Sequence, residues 1–260
     1  MEIAKRGGTI HMVCRNPKYA EEAQTEIKEF SKNDNVHVHI LDMSDPKAVG
    51  KFVSEFENPL HVLINNAGCM VNQRILTEEG LEKNFVTNTL GTHILTEKLL
   101  PKLDKSSQKP RVIIVSSGGM LTNKLDLKDL NFEKMNPFDG TMAYAQNKRQ
   151  QIIMAEQYAQ KYQDVFFATM HPGWADTPAV RSSMPEFHAK MKNKLRTVEQ
   201  GADTIVWLAI AEKALEKESG LFYQDREAVN THLPLAQTRS TPEECAELMA
   251  KLDELMQKHA

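Results

Sequence analysis

Residues 36–65 read VHVHILDMSDPKAVGKFVSEFENPLHVLIN, and this stretch predicts a strand, a helix and a second strand in that order. Val36 to Asp42 is rich in β-branched residues, which is typical of a strand. Ser44-Asp45-Pro46 offers an N-cap and a proline at the first helical position, so a helix begins here. His61 to Asn65 is a second apolar run of strand length. Two strands joined by one helix in this way indicate a parallel pair with a crossover helix.

The same alternation extends on both sides of this unit. Asn16-Pro17 separates a predicted strand, Thr9 to Arg15, from a predicted helix. Further predicted strands are Arg111 to Ser116, Val165 to Met170 and, as the last strand, Leu221 to Gln224. A capping box at Thr241 to Glu244 predicts a final helix. We therefore expect one α/β domain over residues 1–260, built on a single doubly wound, Rossmann-like parallel sheet.

The composition excludes several classes of protein. The chain has 260 residues, 41% of them hydrophobic, and a formal net charge of −3. This charge gives no basic face for nucleic acid or an anionic membrane. The sequence has no apolar run of the roughly 20 residues that a transmembrane helix needs and no signal-peptide core, so we expect a cytoplasmic protein. The spacing of the cysteines, which are Cys14, Cys69 and Cys245, favours reduced thiols and no metal site.

The first residues predict an incomplete domain. Met1 to Arg6 followed by Gly7-Gly8 is typical of the last turn of a helix with a glycine C-cap. In a doubly wound sheet such a helix follows a strand and a glycine-rich turn, and the sequence contains neither before it. We therefore expect a sheet that lacks its first strand, whose neighbouring strands have no ladder partner on that side.

Four polar features follow one another in an informative order. Asn65-Asn66-Ala67-Gly68 ends a strand, Asn88 lies in a helix, Ser116-Ser117 ends another strand, and Tyr144 precedes Lys148 by four residues. A tyrosine and a lysine four residues apart share one helix face, and alone this pair is common on solvated helices. A serine at the carboxyl end of a parallel strand lies where open α/β sheets bind ligands. The order predicts a proton-transfer site at that edge.

With these motifs the sequence resembles the short-chain dehydrogenase/reductase family over nearly its whole length, from Thr9 to about Gln224. The segments that carry the resemblance are Asn65-Asn66-Ala67-Gly68, Asn88-Thr89-Leu90-Gly91, Val115-Ser116-Ser117, Tyr144-Ala145-Gln146-Asn147-Lys148 and Pro172-Gly173-Trp174-Ala175-Asp176-Thr177. The resemblance implies an oxidoreductase that transfers a hydride between a nicotinamide cofactor and a small-molecule carbonyl or alcohol. The catalytic residues that it implies are Asn88, Ser117, Tyr144 and Lys148.

The resemblance also assigns a role to each of these four residues. Tyr144 exchanges a proton with the substrate oxygen, to which Ser117 donates a hydrogen bond. Lys148 binds the nicotinamide ribose, and Asn88 anchors a water relay behind Lys148. Because an unperturbed phenol has a pKa of about 10, the Lys148 ammonium is needed to stabilise the phenolate near neutral pH. We therefore expect a lowered pKa for Tyr144.

Several residues match positions that bind the cofactor in this family. Arg15 ends a strand where NAD-using members have an acidic residue, and its guanidinium suits a phosphate, which favours NADP(H) over NAD(H). Asp42 matches the position that contacts adenine, or it caps the helix that begins at Pro46. The other matching residues are Asn66, Ala67, Gly68, Tyr144, Lys148, Pro172, Gly173 and Thr177.

The apolar residues of segment 174–187 have two interpretations. Family members have a mobile substrate lid here, which suits a lipophilic substrate. Alternatively, Val180, Met184 and Phe187 form a helix face that packs on the core. Family members commonly form dimers or tetramers, so the resemblance implies a homo-oligomer.

An alternative function follows from the expected loss of the first strand. The helix N-terminus that normally binds the pyrophosphate is lost with the glycine-rich turn. On this hypothesis the chain is a catalytically silent, truncated member of the family that binds cofactor weakly or not at all.

Overall fold

The computed structural model describes residues 1–106 and 108–260 of the chain. Its strands are β1 Ile10–Cys14, β2 Val36–Ile40, β3 Val62–Asn65, β4 Arg111–Val115, β5 Phe166–His171, β6 Phe222–Gln224 and β7 Glu227–Val229. Its helices are α1 Glu2–Lys5, α2 Pro17–Ser31, α3 Pro46–Glu55, α4 Lys83–Phe85, α5 Gly91–Leu99, α6 Gly140–Lys161, α7 Pro178–Ser183, α8 Pro185–Met191, α9 Val198–Ile210, α10 Glu212–Leu215 and α11 Pro242–His259. A π-helical turn, Val86–Leu90, joins α4 to α5.

The strands form a mainly parallel arrangement, which confirms the predicted α/β class. β3, β4, β5 and β6 are parallel neighbours, and β7 is antiparallel to β6. The prediction that Leu221 to Gln224 is the last strand is therefore wrong. The turn from β6 to β7 consists of Asp225 and Arg226, with φ angles of 52° and 65°. Positive φ at both residues is the geometry of a two-residue type I′ hairpin turn, which asparagine and glycine usually form.

The sheet is divided between β1 and β3. Within the described residues, β1 pairs only with β2, and β3 pairs only with β4. Every residue of β1 is partly exposed, whereas every residue of β4 is buried. This agrees with the expectation that two neighbouring strands lack a ladder partner on one side. Each of them therefore has backbone N–H and C=O groups without a strand partner.

Side chains at the predicted starts cap the helices. Asn16, Asp45 and Thr241 each accept a hydrogen bond from the backbone N–H three residues further on, at α2, α3 and α11. Such caps satisfy amide groups that have no partner inside the helix. At the other end of a helix, Gly7 follows α1 with a φ of 83°, as expected for a glycine C-cap. The predicted helix boundaries are confirmed at these positions.

The core lies on both faces of the larger sheet. Residues of α3, α5, α6 and α11 form the main cluster on one face, and they include Val49, Ile94, Ile153 and Leu248. On the other face, Leu208 of α9 packs with strand residues. Burying side chains of this size is worth roughly 1.5–3 kcal/mol each. None of the described helices has the length and apolar character needed to cross a membrane.

Gly91 allows the beginning of α5 to pack closely on the segment after β2. A Cβ atom at this buried position would overlap the carbonyl oxygen of Met43 and lie 3.0 Å from that of Val86. Because backbone atoms cannot move aside cheaply, we expect Gly91→Ala to lower the free energy of unfolding by about 1–3 kcal/mol. Urea denaturation measures this loss.

Gly50→Ala in α3 is the matched control for this substitution. The nearest atom to a Cβ at position 50 is the Lys98 Nζ at 3.3 Å, the end of a flexible side chain. Alanine also favours a helix over glycine by about 1 kcal/mol, so we expect unchanged or increased stability. Equal losses of stability in both variants would contradict the assigned role of Gly91.

Candidate active site

Three parallel strands bring the predicted motifs to one edge of the sheet. β3, β4 and β5 are adjacent and parallel, so their carboxyl ends lie together. Asn66 to Gly68 follow β3, Ser116-Ser117 follow β4, and Pro172-Gly173 follow β5. In open α/β sheets this is the edge at which ligands bind.

Hydrogen bonds between α6 and β4 position Lys148. The Lys148 Nζ donates to the carbonyl oxygen of Val115 at 2.8 Å, and the Ser116 Oγ donates to the carbonyl oxygen of Lys148 at 2.9 Å. The Lys148 side chain is buried, with 3% of the residue exposed. These two bonds are made by Val115 and Ser116, the residues immediately before Ser117. They therefore attach the end of β4, which leads into Ser117, to Lys148.

Tyr144 and Gly68 lie beside the same ammonium group, and Asn88 lies beside Gly68. The Lys148 Nζ lies 5.1 Å from the centroid of the Tyr144 ring. A Cβ atom at Gly68 would lie 3.7 Å from this Nζ and 3.0 Å from the Asn88 Oδ1. A side chain at position 68 would therefore fill the space beside the lysine and the asparagine. The glycine leaves an exposed backbone there that a ligand can approach closely.

Asn88 lies in the π-helical turn and holds the segment after β3. Its Oδ1 accepts from the backbone N–H of Cys69, and its Nδ2 donates to the carbonyl oxygen of Cys69, both at 2.8 Å. The residue is fully buried. Single π-turns within helices occur frequently at functional sites, because they redirect one backbone carbonyl. In this chain the carbonyl oxygen of Asn88 accepts hydrogen bonds from the Gln151 Nε2 at 2.6 Å and from the Thr92 Oγ1 at 2.9 Å.

Ser117 begins the turn that follows β4. Its Oγ accepts from the backbone N–H of Gly119 at 3.3 Å, and the residue is partly exposed. The buried Arg149 side chain donates to the carbonyl oxygens of Met120 at 2.9 Å, Asn123 at 3.1 Å and Thr231. These bonds attach the turn to α6, one residue after Lys148.

Burial moves the pKa values of the two central groups in opposite directions. It raises the pKa of Tyr144 to about 12 and lowers the pKa of Lys148 to about 8. Desolvation disfavours the charged form of each group. The expectation of a lowered tyrosine pKa is therefore wrong for this structure. At neutral pH Tyr144 keeps its proton and Lys148 is mainly charged, which suits proton donation by the tyrosine.

The predicted adenine end of the site consists of Arg15 and Asp42. Arg15 is exposed immediately after β1, and Asp42 is partly exposed after β2. The Asp42 Oδ1 accepts from the backbone N–H of Ser44 at 2.9 Å and from its Oγ at 2.7 Å. Since Asp45 caps α3, the alternative that Asp42 caps this helix is wrong.

The segment after β5 is held by a salt-bridged arginine. Gly173 has a φ of 72°, a conformation that favours glycine. The Arg196 Nη1 donates to the carbonyl oxygen of Pro172 at 3.3 Å and pairs with Asp225 at 2.6 Å. Further along, the side chain of Thr177 caps α7 by accepting from Val180.

The helices that follow Thr177, α7 and α8, form a partly exposed cover that contacts the segment after β3. None of Val180, Met184 and Phe187 is buried, so the interpretation that they form a core-packing face is wrong. The Trp174 and Phe187 rings lie 4.4 Å apart, with Trp174 exposed. The Ser183 Oγ donates to the carbonyl oxygen of Met70 at 3.3 Å, which places the end of α7 on the segment after β3.

The three cysteines are free thiols, as predicted. Burial raises the pKa of Cys69 and that of Cys14, and it raises the pKa of Cys245 to about 11. Thiols with raised pKa values are weak nucleophiles at neutral pH. In the described part of the chain, no group of three or more His, Cys, Asp or Glu side chains is arranged to bind a metal ion.

The sequence did not identify Gln151 as a residue of this site. Its side chain lies between Lys148 and the carbonyl oxygen of Asn88, where the resemblance placed a water molecule. The available signal was its spacing, because a residue three positions after Lys148 lies on the same helix face. Buried glutamines at positions 146, 150 and 151 made this signal hard to separate from ordinary helix polarity.

Comparisons with known proteins agree with this geometry. A family model described as short chain dehydrogenase matches residues 1–125. The chain is 57% identical to dehydrogenase/reductase SDR family member 12 of Homo sapiens over 99% of its own length and 81% of that protein. It is 34% identical to retinol dehydrogenase 12 of Homo sapiens, over 86% of this chain and 72% of that protein.

A solved structure of an uncharacterized protein from Mycobacterium paratuberculosis superposes with a TM-score of 0.77 at 25% identity, and the match covers 98% of this chain and 87% of that chain. The 57% identity to the human relative, over 99% of this chain and 81% of that protein, exceeds what a shared fold alone produces. The chain belongs to the short-chain dehydrogenase/reductase family of oxidoreductases.

Proposed function

We propose that this chain transfers a hydride between NADP(H) and the carbonyl or hydroxyl group of a lipophilic small molecule. The observation that carries the proposal is the position of Lys148. Its ammonium is fixed by the end of β4 next to Ser117 and lies 5.1 Å from the Tyr144 ring. On the proposal, Tyr144 is the proton donor, Ser117 the hydroxyl donor and Lys148 the cation at the ligand-binding edge of the parallel sheet.

The open backbone after β3 fits a bound dinucleotide. Asn66, Ala67 and Gly68 are exposed, and a Cβ at Gly68 would approach Lys148 and Asn88. On the proposal, Arg15 and Asp42 hold the adenosine end of the cofactor. The residues at its nicotinamide end are Asn66, Ala67, Gly68, Tyr144, Lys148, Pro172, Gly173 and Thr177.

The cofactor, when bound, supplies the hydride. The chain's own residues supply the proton and orient the carbonyl. Tyr144, whose raised pKa keeps it protonated at neutral pH, donates its phenolic proton to the substrate oxygen. The Ser117 Oγ donates a hydrogen bond to the same oxygen, and the charge of Lys148 stabilises the phenolate that remains. In the oxidative direction the same groups reverse their roles.

The proposed substrate class rests on the cover over the site. Trp174 is exposed and its ring contacts Phe187, so this region offers an apolar wall to a ligand at the edge of the sheet. One relative is named for retinol, a lipophilic alcohol. We therefore propose a lipophilic aldehyde, ketone or alcohol as substrate.

A titration of NADPH and NADH, followed by cofactor fluorescence, tests the proposal. We expect the purified chain to bind NADPH in the micromolar range and more tightly than NADH. Arg15→Glu is expected to weaken NADPH binding about tenfold or more, because it replaces a phosphate-binding cation with a repelling anion. NADH binding is expected to change little, because NADH has no 2′-phosphate.

Lys18→Glu is the matched control for this titration. Lys18 is exposed at the beginning of α2, three residues after Arg15, and the substitution makes the same change of charge. We expect a less than threefold effect on NADPH affinity. Equal losses in the two variants would show a general charge effect and contradict a phosphate contact at Arg15.

The divided sheet favours a second candidate function. Arg15 follows β1 directly, and no strand of the described chain lies between β1 and β3 to pair with both. A cofactor that contacts both parts must bridge this gap, and α1 has only four residues. If neither NADPH nor NADH binds, the chain is a catalytically silent member of the family.

A further inference from the structure

Gln151 connects Lys148 to the backbone of the π-helical turn. Its Oε1 accepts from the Lys148 Nζ at 3.0 Å, and its Nε2 donates to the Asn88 carbonyl oxygen at 2.6 Å. The glutamine is 1% exposed. The orientation of its amide is unambiguous, because an ammonium only donates hydrogen bonds and a carbonyl oxygen only accepts them.

The carboxamide occupies both hydrogen-bond positions that a bridging water would use. A water in this place would accept a hydrogen bond from the Lys148 ammonium and donate one to the Asn88 carbonyl oxygen, and by turning it could pass a proton between Lys148 and a further water. A carboxamide with a fixed N–H donor and a fixed oxygen acceptor has no such freedom, unless it changes tautomer. The bridge therefore fixes the ammonium without providing a path for protons behind it.

We infer that Gln151 is a positioning residue that replaces a relay water, holds the Lys148 ammonium in its charged form, and closes the rear proton path to Tyr144. The inference rests on the proposed function, since it assigns Lys148 a role in the reaction. Protons that reload Tyr144 then enter from the exposed side of the site, where Gly68 leaves open backbone.

The electrostatic surroundings make this bridge important. The titratable side chains that face Lys148 are Tyr144 from α6 and Cys69 from the segment after β3. Burial raises the pKa of both groups, so both are neutral at neutral pH. Burial is the main cause that lowers the pKa of Lys148 to about 8, and Cys69 opposes the shift. Hydrogen bonds from the charged form to the Gln151 Oε1 and the Val115 carbonyl oxygen oppose this effect of burial.

The test is a measurement of the Lys148 pKa in the cofactor-free protein. Lysines labelled with ¹³C at Cε report Nζ protonation by NMR, and Lys148→Met identifies the resonance. Gln151→Glu places a carboxylate beside the ammonium, and we expect it to raise the Lys148 pKa by about 1 to 3 pH units. Gln151→Met removes one acceptor and is expected to lower this pKa by about 1 to 2 pH units.

Gln146→Glu is the matched control for the added charge. Gln146 is a buried glutamine of the same helix, but its amide binds the backbone of Lys124 and Asp126 instead of Lys148. We expect a change of less than 0.5 pH units in the Lys148 pKa. Gln151→Met keeps the inference testable if Gln151→Glu does not fold, because methionine preserves the side-chain volume.

The outcome separates this inference from the proposed function. A Lys148 pKa that stays within 0.3 pH units of the wild-type value in both Gln151 variants overturns the positioning role, whether or not NADPH binds. Where NADPH does reduce an aldehyde probe such as nonanal, the alkaline limb of the pH profile should follow the shifted pKa in each variant. An unshifted profile together with a shifted pKa would remove Lys148 from the reaction and contradict the proposed function.

Discussion

Tyr144→Phe reduces nonanal or all-trans-retinal with NADPH about 10²–10⁴-fold more slowly than the wild-type chain, if Tyr144 donates the proton. The substitution removes a single hydroxyl group and little volume, so the fold and the cofactor site remain. The raised pKa of Tyr144 means that the proton to be donated is present throughout the neutral range. Initial rates at saturating NADPH measure the effect.

As controls for this prediction, the NADPH affinity and the thermal unfolding midpoint of Tyr144→Phe are compared with those of the wild-type chain. Both are expected to stay close to the wild-type values, because the substitution keeps the Tyr144 ring and leaves the hydrogen bonds of Lys148 to Val115 and Gln151 in place. Retention of more than a tenth of the wild-type rate would rule out Tyr144 as the proton donor.

Lys148→Met is expected to abolish turnover and also to change how stability depends on pH. The pKa of Lys148 is lowered from its unfolded value of 10.5 to about 8. The unfolded chain therefore binds the proton more tightly, so this group destabilises the fold below pH 8, and the destabilisation is relieved as the pH rises to 10.5. From pH 7.5 to pH 10, the free energy of unfolding of the wild-type chain should rise by about 2–3 kcal/mol relative to that of Lys148→Met.

Urea denaturation of both proteins at these two pH values measures the gain, and the difference between them cancels the contributions of other titrating groups. Lys128→Met provides the control, because Lys128 is exposed on the loop before α6. Its stability is expected to follow that of the wild-type chain at both pH values. If the difference in the free energy of unfolding between wild type and Lys148→Met were the same at both pH values, the lysine would titrate in the folded chain as it does in water.

The elements that local signals specify were predictable from the sequence. Asn16, Asp45 and Thr241 mark helix starts because only a few side chains can cap a helix N-terminus, and each does so in the structure. The short hairpin that ends in β7 was not predictable in this way. Its turn residues, Asp225 and Arg226, adopt positive φ without the glycine that usually marks such a turn.

The sequence predicted which motifs lie near Lys148, but it did not predict the electrostatics of the site. The order of the motifs predicted that Tyr144, Lys148, Asn88 and Gly68 belong together, and in the structure the Tyr144 ring and Gly68 lie beside the Lys148 ammonium. The direction of the Tyr144 pKa was predicted wrongly, because the cost of desolvation depends on packing that a spacing rule does not contain.

Gln151 illustrates a related limit. Its spacing from Lys148 places both side chains on one helix face, but three glutamines of α6 are buried. Its hydrogen bonds to the Lys148 Nζ and to the Asn88 carbonyl oxygen distinguish Gln151 from the other two. Sequence spacing can therefore propose a contact within a helix, while the partner from another element has to come from the structure.

The central claim is that Tyr144 and Lys148 form the acid–base pair beside a bound nicotinamide. The most direct measurement is the single-turnover transfer of deuterium from NADPH labelled at C4 to nonanal, compared between the wild-type chain and Tyr144→Phe. The account predicts labelled alcohol from the wild-type chain and transfer at least about 100-fold slower from the variant. Transfer at equal rates from both proteins, with equal NADPH binding, would contradict it.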